Sequence, residues 1–275
     1  MKADIYSLEG KPSGKLDLPS QFSEEVRPDI IRRAFIAVQT HGRTPYGAFS
    51  KAGQRSSSEV SRRRRRYRGA YGMGIARTPR KVIWKRGRQL GWVGAFAPTA
   101  VGGRIAHPPK SSKIFYEKIN KKERRKAIRS AIAATAVPEI VKTHGHIFST
   151  LVNVIDSSME NIKKAKEVRT ILVKLGLEKE LYRIEQKKIR AGRGSKRGRP
   201  YITKTGPLLV VSQDCPLLKS GANLPGIDVC LVNELNAAIL APRGSPGRFT
   251  IFTEKAIKAM EKDKLFLGVK KEDKK

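Results

Sequence analysis

Residues 43–113 constrain the fold of this chain more than any other segment, because they combine high positive charge with a lack of hydrophobic periodicity. These 71 of the 275 residues include 18 Lys and Arg but a single acid, Glu59, so they carry a net charge of +17. They also hold 10 of the 24 glycines, and no helical or strand-like period lasts for more than a few residues. A loop of this length inside a compact domain indicates either a wrong assignment or a functional projection. The small amount of contiguous apolar sequence favours a projection without a core of its own.

The whole chain is basic, with 58 Lys and Arg against 24 Asp and Glu and a net charge of +34. A compact protein with this charge repels itself, and a polyanionic partner relieves the repulsion. Nucleic acid and an anionic membrane surface both meet this requirement, so charge alone leaves the partner open. Hydrophobic residues make up 39% of the chain, which is enough for a core outside the insertion.

Targeting and redox features favour a cytoplasmic protein. No apolar run approaches the roughly 20 residues of a membrane helix, and the residues after Met1 lack the apolar region of a signal peptide. We therefore expect no membrane-spanning segment and place the protein in the cytoplasm, without a membrane partner. The two cysteines, Cys215 and Cys230, lie in strand-like surroundings and are expected to be reduced, buried thiols.

Outside the insertion, short apolar strands alternate with helices, and the first residues around Ile5 also alternate in a strand-like way. The predicted strands are Leu151–Ile155, Leu208–Ser212, Asp228–Val232 and Phe249–Phe252. The predicted helices cover Pro28–His41, Arg124–Ala136, Ser157–Gly176, Glu178–Ile189, Asn233–Leu240 and Glu254–Lys262. This pattern predicts an α/β fold, a three-layer α/β/α domain with a mostly parallel four-stranded sheet. The domain comprises residues 1–42 and 114–275, and a long extended basic loop, residues 43–113, interrupts it.

The insertion has the residue types of an RNA-binding arm that folds when it is bound. Its arginine run cannot lie in a core, and guanidinium groups bind phosphate oxygens in a bidentate way. Interleaved aromatic rings can stack on bases, and the glycines let the backbone approach a ligand closely. The alternative is a solvated tail or a basic run of the nuclear-import type. The candidate RNA-binding residues here are Arg43, Lys51, Arg55, Arg62, Arg63, Arg64, Arg65, Arg66, Tyr67, Arg68, Arg77, Arg80, Lys81, Trp84, Lys85, Arg86, Arg88, Trp92, Arg104, His107, Lys110 and Lys113.

A second basic patch lies between Lys187 and Lys204 and contains no acid. Its Gly-x-Gly-Ser-Lys sequence lacks the glycine spacing and the Gly-Lys-Ser/Thr ending of a nucleotide-binding phosphate loop. We therefore interpret the patch as a clamp on the nucleic-acid backbone. Its candidate residues are Lys187, Lys188, Arg190, Arg193, Lys196, Arg197, Arg199 and Lys204.

No pattern in the sequence indicates catalysis. His144 and His146 are close together but have no Cys or carboxylate at metal-ligand spacing, so a pair of satisfied or exposed imidazoles is expected there. Nucleophile-elbow, zinc-protease and dinucleotide-binding motifs are absent. We predict no catalytic residue, no metal, no cofactor and no small-molecule substrate.

Five segments of the chain resemble a known family. They are ADIYSLEG at residues 3–10, AHPPK at 106–110, RSAIAATA at 129–136, KIRAGRGSKRGRPY at 188–201 and SPGRFTIFTEKA at 245–256. In order and spacing they are similar to the universal large-subunit ribosomal protein L-four family, in its archaeal/eukaryotic branch. The chain ends soon after the last of them without the long basic extension of eukaryotic members, which favours an archaeal origin.

The resemblance implies a structural, rRNA-binding protein of the large subunit. It also implies where the parts of the chain lie in that subunit, which residue patterns alone do not indicate. In this family an α/β domain lies on the subunit, and a long loop enters the rRNA and helps form the constriction of the nascent-peptide exit tunnel with ribosomal protein L-twenty-two. By position, residues 43–113 correspond to that loop, and the second basic patch corresponds to another rRNA contact. The tunnel-tip candidates are Tyr71, Gly72, Met73 and Gly74.

An RNA-modifying enzyme with a basic RNA-capturing insertion is the alternative function. Such an enzyme needs a cofactor cleft with polar groups at the carboxyl ends of the strands. Asp156, Asp214 and Asn233 are the candidates for these groups, and the sequence assigns none of them a partner.

Overall fold

A computed structural model of the chain describes residues 1–56, 64–65, 70–87 and 89–267. The described residues divide into two units. The first, which we name the sheet unit, comprises Met1–Gly42 and the described residues from Tyr116 onward, and the second, the basic unit, lies within Arg43–Phe115.

The described residues contain ten strands and nine α-helices. In chain order the strands are β1 (Lys2–Tyr6), β2 (Pro12–Asp17), β3 (Arg80–Arg86), β4 (Gln89–Gly94), β5 (Val154–Ile155), β6 (Lys188–Ile189), β7 (Tyr201–Ile202), β8 (Leu208–Val211), β9 (Asp228–Leu231) and β10 (Thr250–Thr253). The helices are α1 (Pro28–His41), α2 (Lys121–Thr135), α3 (Pro138–Thr143), α4 (Ala165–Lys174), α5 (Glu178–Glu185), α6 (Arg193–Lys196), α7 (Pro216–Ala222), α8 (Ala237–Leu240) and α9 (Glu254–Lys262).

The main sheet of the sheet unit has the strand order β2-β1-β5-β10-β8-β9. All neighbouring pairs are parallel except the N-terminal hairpin of β1 and β2. The predicted α/β class and mostly parallel sheet are confirmed. The predicted number of four strands is too small, because the hairpin joins the edge of the sheet when Ile5 pairs with Val154.

Alternating residues of the short central strands face two separate cores. Leu208 and Val210 pack in one hydrophobic cluster with residues of α1, α2 and α9. Leu209 and Val211 pack in the other cluster with residues of α3, α4, α5 and α7. Because successive side chains of a strand point to opposite faces, helices cover both sides of the sheet. The result is the predicted three-layer α/β/α arrangement.

The predicted helix over Ser157–Gly176 is wrong in its first part. Residues Ser157–Asn161 form a 3₁₀ turn, and α4 begins only at Ala165. The turn is held against the strand ends by the buried Glu160 carboxylate, which accepts hydrogen bonds from the Ser212 amide at 3.0 Å and the Thr253 hydroxyl at 2.6 Å. These long-range bonds fix Glu160 in a place that a continuous helix would not reach.

Other sequence predictions also need correction. The helix predicted over Asn233–Leu240 begins only at Ala237, after a 3₁₀ turn at Val232–Glu234. The helix predicted over Glu178–Ile189 ends at Glu185, because Lys188 and Ile189 pair with residues 201 and 202 in a two-stranded hairpin. The insertion was expected to lack regular structure, yet β3 and β4 form an antiparallel hairpin within it. A register shift between Val82 and Trp84 interrupts this hairpin, and such a bulge hides the period of two from a sequence reading.

A buried ionic cluster joins α5 to the loop after α3. The Glu180 carboxylate accepts hydrogen bonds from His146 Nδ1 at 2.6 Å, from the Ile147 amide at 2.9 Å and from two nitrogens of Arg183. Since an ionised carboxylate can only accept, His146 Nδ1 carries the proton. Burial by itself would raise the pKa of Glu180, but these hydrogen bonds outweigh burial and lower the pKa to about 2.

The cluster predicts a pH-dependent contribution to stability. Because the pKa of Glu180 is depressed in the folded state, its stabilisation is fully present above the unfolded pKa of about 4.3 and is lost as the pH falls towards the folded pKa. Glu180→Gln should lower the free energy of unfolding by about 3 kcal/mol at neutral pH. The difference from wild type should shrink between about pH 4.5 and 2, as measured by urea unfolding followed by far-UV circular dichroism.

Glu167→Gln is the matched control for this experiment. Glu167 is an exposed acid on α4 whose nearest cation is Lys164 at 3.7 Å, so its replacement should change stability by less than about 0.5 kcal/mol. Equal unfolding free energies for wild type and Glu180→Gln at neutral pH would contradict the assigned role of the cluster.

Candidate nucleic-acid interface

The basic unit has a surface rich in cations and little buried apolar volume. Its buried hydrophobic residues among those described are Ala70, Ala95 and Ala97. All three are alanines, so the larger described side chains of the unit lie at or near the surface. Such a unit presents its Lys and Arg side chains to a partner instead of using them in a core.

The β3–β4 hairpin presents one of the predicted stacking residues. Trp84 is 53% exposed and pairs across the hairpin with Gly91. Its indole lies over the glycine so closely that a Cβ on residue 91 would overlap the ring. The adjacent Lys85 and Arg86 are exposed as well, so an aromatic face and two cations share this hairpin.

The proposed tip residues lie in a turn. Gly72 and Gly74 adopt φ angles of +76° and +65°, in the left-handed region that favours glycine. Met73 between them is 54% exposed, and the Arg77 guanidinium lies 4.3 Å from the centre of the Tyr71 ring. The turn therefore places a methionine and a cation-covered tyrosine at the surface.

The second basic patch is a small hairpin and not an irregular loop. Strands β6 and β7 flank the helical turn α6. Arg190 closes the hairpin by donating hydrogen bonds to the carbonyl oxygens of Arg199 at 3.0 Å and Tyr201 at 3.3 Å. Two guanidinium nitrogens of Arg190 are thus used in hydrogen bonds within the hairpin. The other candidate cations of this patch are exposed.

Most of the described candidates for RNA binding are exposed. Those that are half-buried are Arg80, Lys81, Trp92, Arg104 and Arg190. Those that lie outside the described residues are Arg62, Arg63, Arg66, Tyr67, Arg68 and Arg88.

The salt bridges among described residues use other cations. Arg129, Arg183 and Arg248 are examples. Arg80 aside, none of the described candidate Lys and Arg residues takes part in one. Their charges are therefore free of protein carboxylates and can bind an external anion.

Sequence reasoning missed a set of aromatic residues. Arg43 lies 4.4 Å from the centre of the Phe115 ring, and Arg55 lies 4.5 Å from that of Phe49. Tyr46 stacks on Phe115. The signal that could have found them is the placement of single aromatic residues beside Arg and Lys at both ends of the insertion.

His146 and Asp156, two of the polar residues considered in the sequence, have structural partners. His146 is buried against Glu180, and no group of three or more His, Cys, Asp and Glu residues within the described ranges could hold a metal ion. Asp156 accepts hydrogen bonds from Ser157 and Ser158, and these bonds lower its pKa. Its carboxylate is thus held by two hydroxyl groups at the start of the 3₁₀ turn Ser157–Asn161.

Both cysteines of the chain are free thiols. Cys230 is buried and Cys215 is half-buried, so the prediction of buried thiols holds fully for Cys230 alone. Burial raises the pKa of the Cys230 thiol to about 12, which keeps it protonated and unreactive. Among the helices of the described residues, none has the length and apolar character needed to cross a membrane.

Comparison with known proteins identifies the family. A model of the ribosomal protein L4/L1 family matches residues 16–263 of the chain. The chain belongs to the ribosomal protein L4/L1 family. This match confirms the resemblance seen in the sequence motifs.

Relatives in the L4/L1 family match almost the whole chain. The large ribosomal subunit protein uL4 of Nanoarchaeum equitans is 46% identical over 267 residues, which cover 97% of this chain and 100% of the relative. The uL4 protein of Archaeoglobus fulgidus is 43% identical over 94% of this chain and 97% of its own length. That of Methanocaldococcus jannaschii is 43% identical over 95% of this chain and 98% of its own length.

The contact between Trp84 and Gly91 predicts the effect of one added methyl group. In a Trp92→Phe background, where Trp84 is the remaining tryptophan, Gly91→Ala should displace the indole from the hairpin into solvent. We expect a red-shifted emission maximum and stronger quenching by acrylamide. Gly94→Ala on the same strand is the control, because its Cβ would make an ordinary contact with Ala100 at 3.4 Å. Identical spectra for the Gly91 variant and its parent would disprove the assigned contact.

Proposed function

We propose that the protein is a structural rRNA-binding component of the large ribosomal subunit. The observation that carries this proposal is the identity of 46% over nearly the full length of a relative that is named as a large-subunit protein. Identity at this level over both whole chains supports a shared assembly, and ribosomal assembly and translation in the cytoplasm follow from it. The exposed cations that lack carboxylate partners supply the charge that rRNA binding requires.

Within this function, the two basic regions have distinct roles. Residues 43–113 form the extended loop that enters the rRNA, while residues 1–42 and 114–275 form the α/β domain. The loop reaches the nascent-peptide exit tunnel and helps form its constriction beside ribosomal protein L-twenty-two. The tip candidates, Tyr71–Gly74, face the nascent peptide, and the exposed Met73 and the two left-handed glycines suit a narrow turn. The hairpin of residues 188–202 binds rRNA at a second place.

The proposed role needs no catalytic chemistry. The acids that an RNA-modifying enzyme would use include Asp156, which is engaged with two serine hydroxyls. The function rests on phosphate neutralisation by Lys and Arg and on stacking by aromatic rings.

Phosphate neutralisation predicts a steep salt dependence of rRNA affinity. Replacing Arg62–Arg66 together by Ala should make the slope of log K against log salt shallower by roughly 0.7–0.9 for each phosphate contact that is lost. Filter binding with large-subunit rRNA fragments at several salt concentrations measures this slope. The matched control replaces Lys163, Lys164, Lys166, Lys174 and Lys179 of the sheet unit by Ala, which removes the same charge outside the proposed interface. If both variants flatten the slope equally, net charge and not the arginine run determines binding.

Cosedimentation with large subunits separates a structural component from an enzyme. An integral component stays bound at one copy per subunit after a high-salt wash. A processing enzyme is released by the same wash, because its contacts with the particle are transient. Substoichiometric recovery after washing would therefore overturn the proposed function in favour of the RNA-modifying alternative.

A further inference from the structure

The two ends of the insertion are held side by side by their backbones. The Ala48 amide donates a hydrogen bond to the Pro109 carbonyl oxygen at 2.9 Å. Next to it, Gly47 approaches Ser111 so closely that an added Cβ would lie 2.5 Å from the backbone nitrogen. Residues 46 and 115 are brought together by this contact even though they are far apart in sequence.

The contact creates a stacked pair of aromatic rings with cations around it. The centroids of the Tyr46 and Phe115 rings are 5.5 Å apart, and their planes differ by 16°. Arg43 lies 4.4 Å from the Phe115 centroid, and the Lys113 ammonium lies 5.6 Å from it. Phe115 is half-buried, whereas Tyr46 is 54% exposed, so the accessible aromatic surface of the pair belongs mainly to Tyr46.

An open cleft of about 570 Å³ lies beside this pair. Both rings line it, together with Pro108 and the cations Lys110 and Lys113. Its volume falls within the range of roughly 300–1,000 Å³ that small-ligand pockets occupy. The described residues that line it include no carboxylate, so the site favours an anionic ligand over a cationic one.

A flat ring, an apolar wall and two ammonium groups match the chemistry of a nucleotide. Every base has a π-face that stacks on an aromatic side chain, and this stacking requires a base that is unpaired and accessible. Ammonium groups bind the flanking phosphates. A paired base inside a helix offers phosphates but no free face, which distinguishes this site from a phosphate clamp.

We propose that this cleft binds one unpaired nucleobase of RNA. The base stacks on the Tyr46 ring, Phe115 supports that ring from behind, and Lys110 and Lys113 bind the phosphates on either side of the nucleotide. The assignment rests on the proposed function, because it takes RNA as the partner of the basic unit. It adds recognition of single-stranded RNA to the sequence-independent binding of phosphates.

The test compares single-stranded and paired RNA as ligands of the full-length protein. The probes are a short oligoribonucleotide that contains 2-aminopurine and the perfectly paired duplex of the same length. Tyr46→Leu should weaken binding of the single strand about 10-fold and abolish the quenching of 2-aminopurine fluorescence. The affinity of the Tyr46→Leu variant for the duplex should stay within about two-fold of the wild-type affinity. The slope of log K against log salt should be unchanged, because no charge is lost.

Three further variants make the test specific. Tyr46→Phe keeps an aromatic ring and should retain both affinity and quenching. Lys110→Gln should lower the salt slope by about 0.7 for the single strand while quenching persists. Tyr182→Leu removes a tyrosine that is 66% exposed in the sheet unit and should change neither property. Unchanged tryptophan emission in each variant confirms that the basic unit remains folded.

The possible failures have different meanings. If Tyr46→Leu binds and quenches as the wild type does, the nucleobase site is wrong, while a steep salt dependence of the wild type still supports the proposed function. An equal loss for single strand and duplex would also overturn the site, since it would show a structural role or a docking surface for another protein. If the wild-type protein binds neither probe in a salt-dependent way, the proposed function and the nucleobase site both fall.

Discussion

Repulsion between positive charges is the constraint on which the rest of this structure depends. The chain carries a net charge of +34, and half of this charge lies in the segment from residue 43 to residue 113. The sheet unit pairs some of the charged side chains that it buries with groups of opposite charge. Arg248, which is 1% exposed, pairs with Asp228 and donates to two carbonyl oxygens, and Glu180 is surrounded by donors. The basic unit has a single acid in its sequence and cannot use this solution.

Aromatic rings take the place of carboxylates in the basic unit. Arg43, Arg55 and Arg77 each lie over the face of a Tyr or Phe ring. A ring attracts a cation through its quadrupole but leaves the formal charge of the cation intact. These contacts can therefore position a guanidinium group without neutralising it. A surface that must later bind phosphate keeps its full charge in this way.

The central part of the fold could be predicted from the sequence because its signals are local. Leu208–Val211 is a short run of apolar residues, and such runs indicate strands that are covered on both faces. Two of the errors have non-local causes. The turn at Ser157–Asn161 depends on hydrogen bonds of Glu160 to Ser212 and Thr253, and the hairpin at the sheet edge depends on pairing with β5. No window of neighbouring residues contains that information.

The candidate interface shows the same division between composition and geometry. Composition was sufficient to predict that Lys and Arg side chains lie at the surface, and most of the described candidates are exposed. It could not show that Arg190 closes a hairpin, because that role depends on the carbonyl oxygens of Arg199 and Tyr201. It also could not show that Tyr46 meets Phe115, since the two residues lie at opposite ends of the insertion.

The backbone contact between Ala48 and Pro109 has a consequence for how this protein can vary in length. It holds residues 48 and 109, near the two ends of the basic unit, at a fixed separation. The entropic cost of closing a flexible loop rises only with the logarithm of the loop length. A doubling of the length adds about 0.6 kcal/mol to this cost. Residues can thus be added to or removed from the far part of the insertion at little thermodynamic cost to the sheet unit. The reach of the insertion into a partner can change while the fold that carries it stays the same.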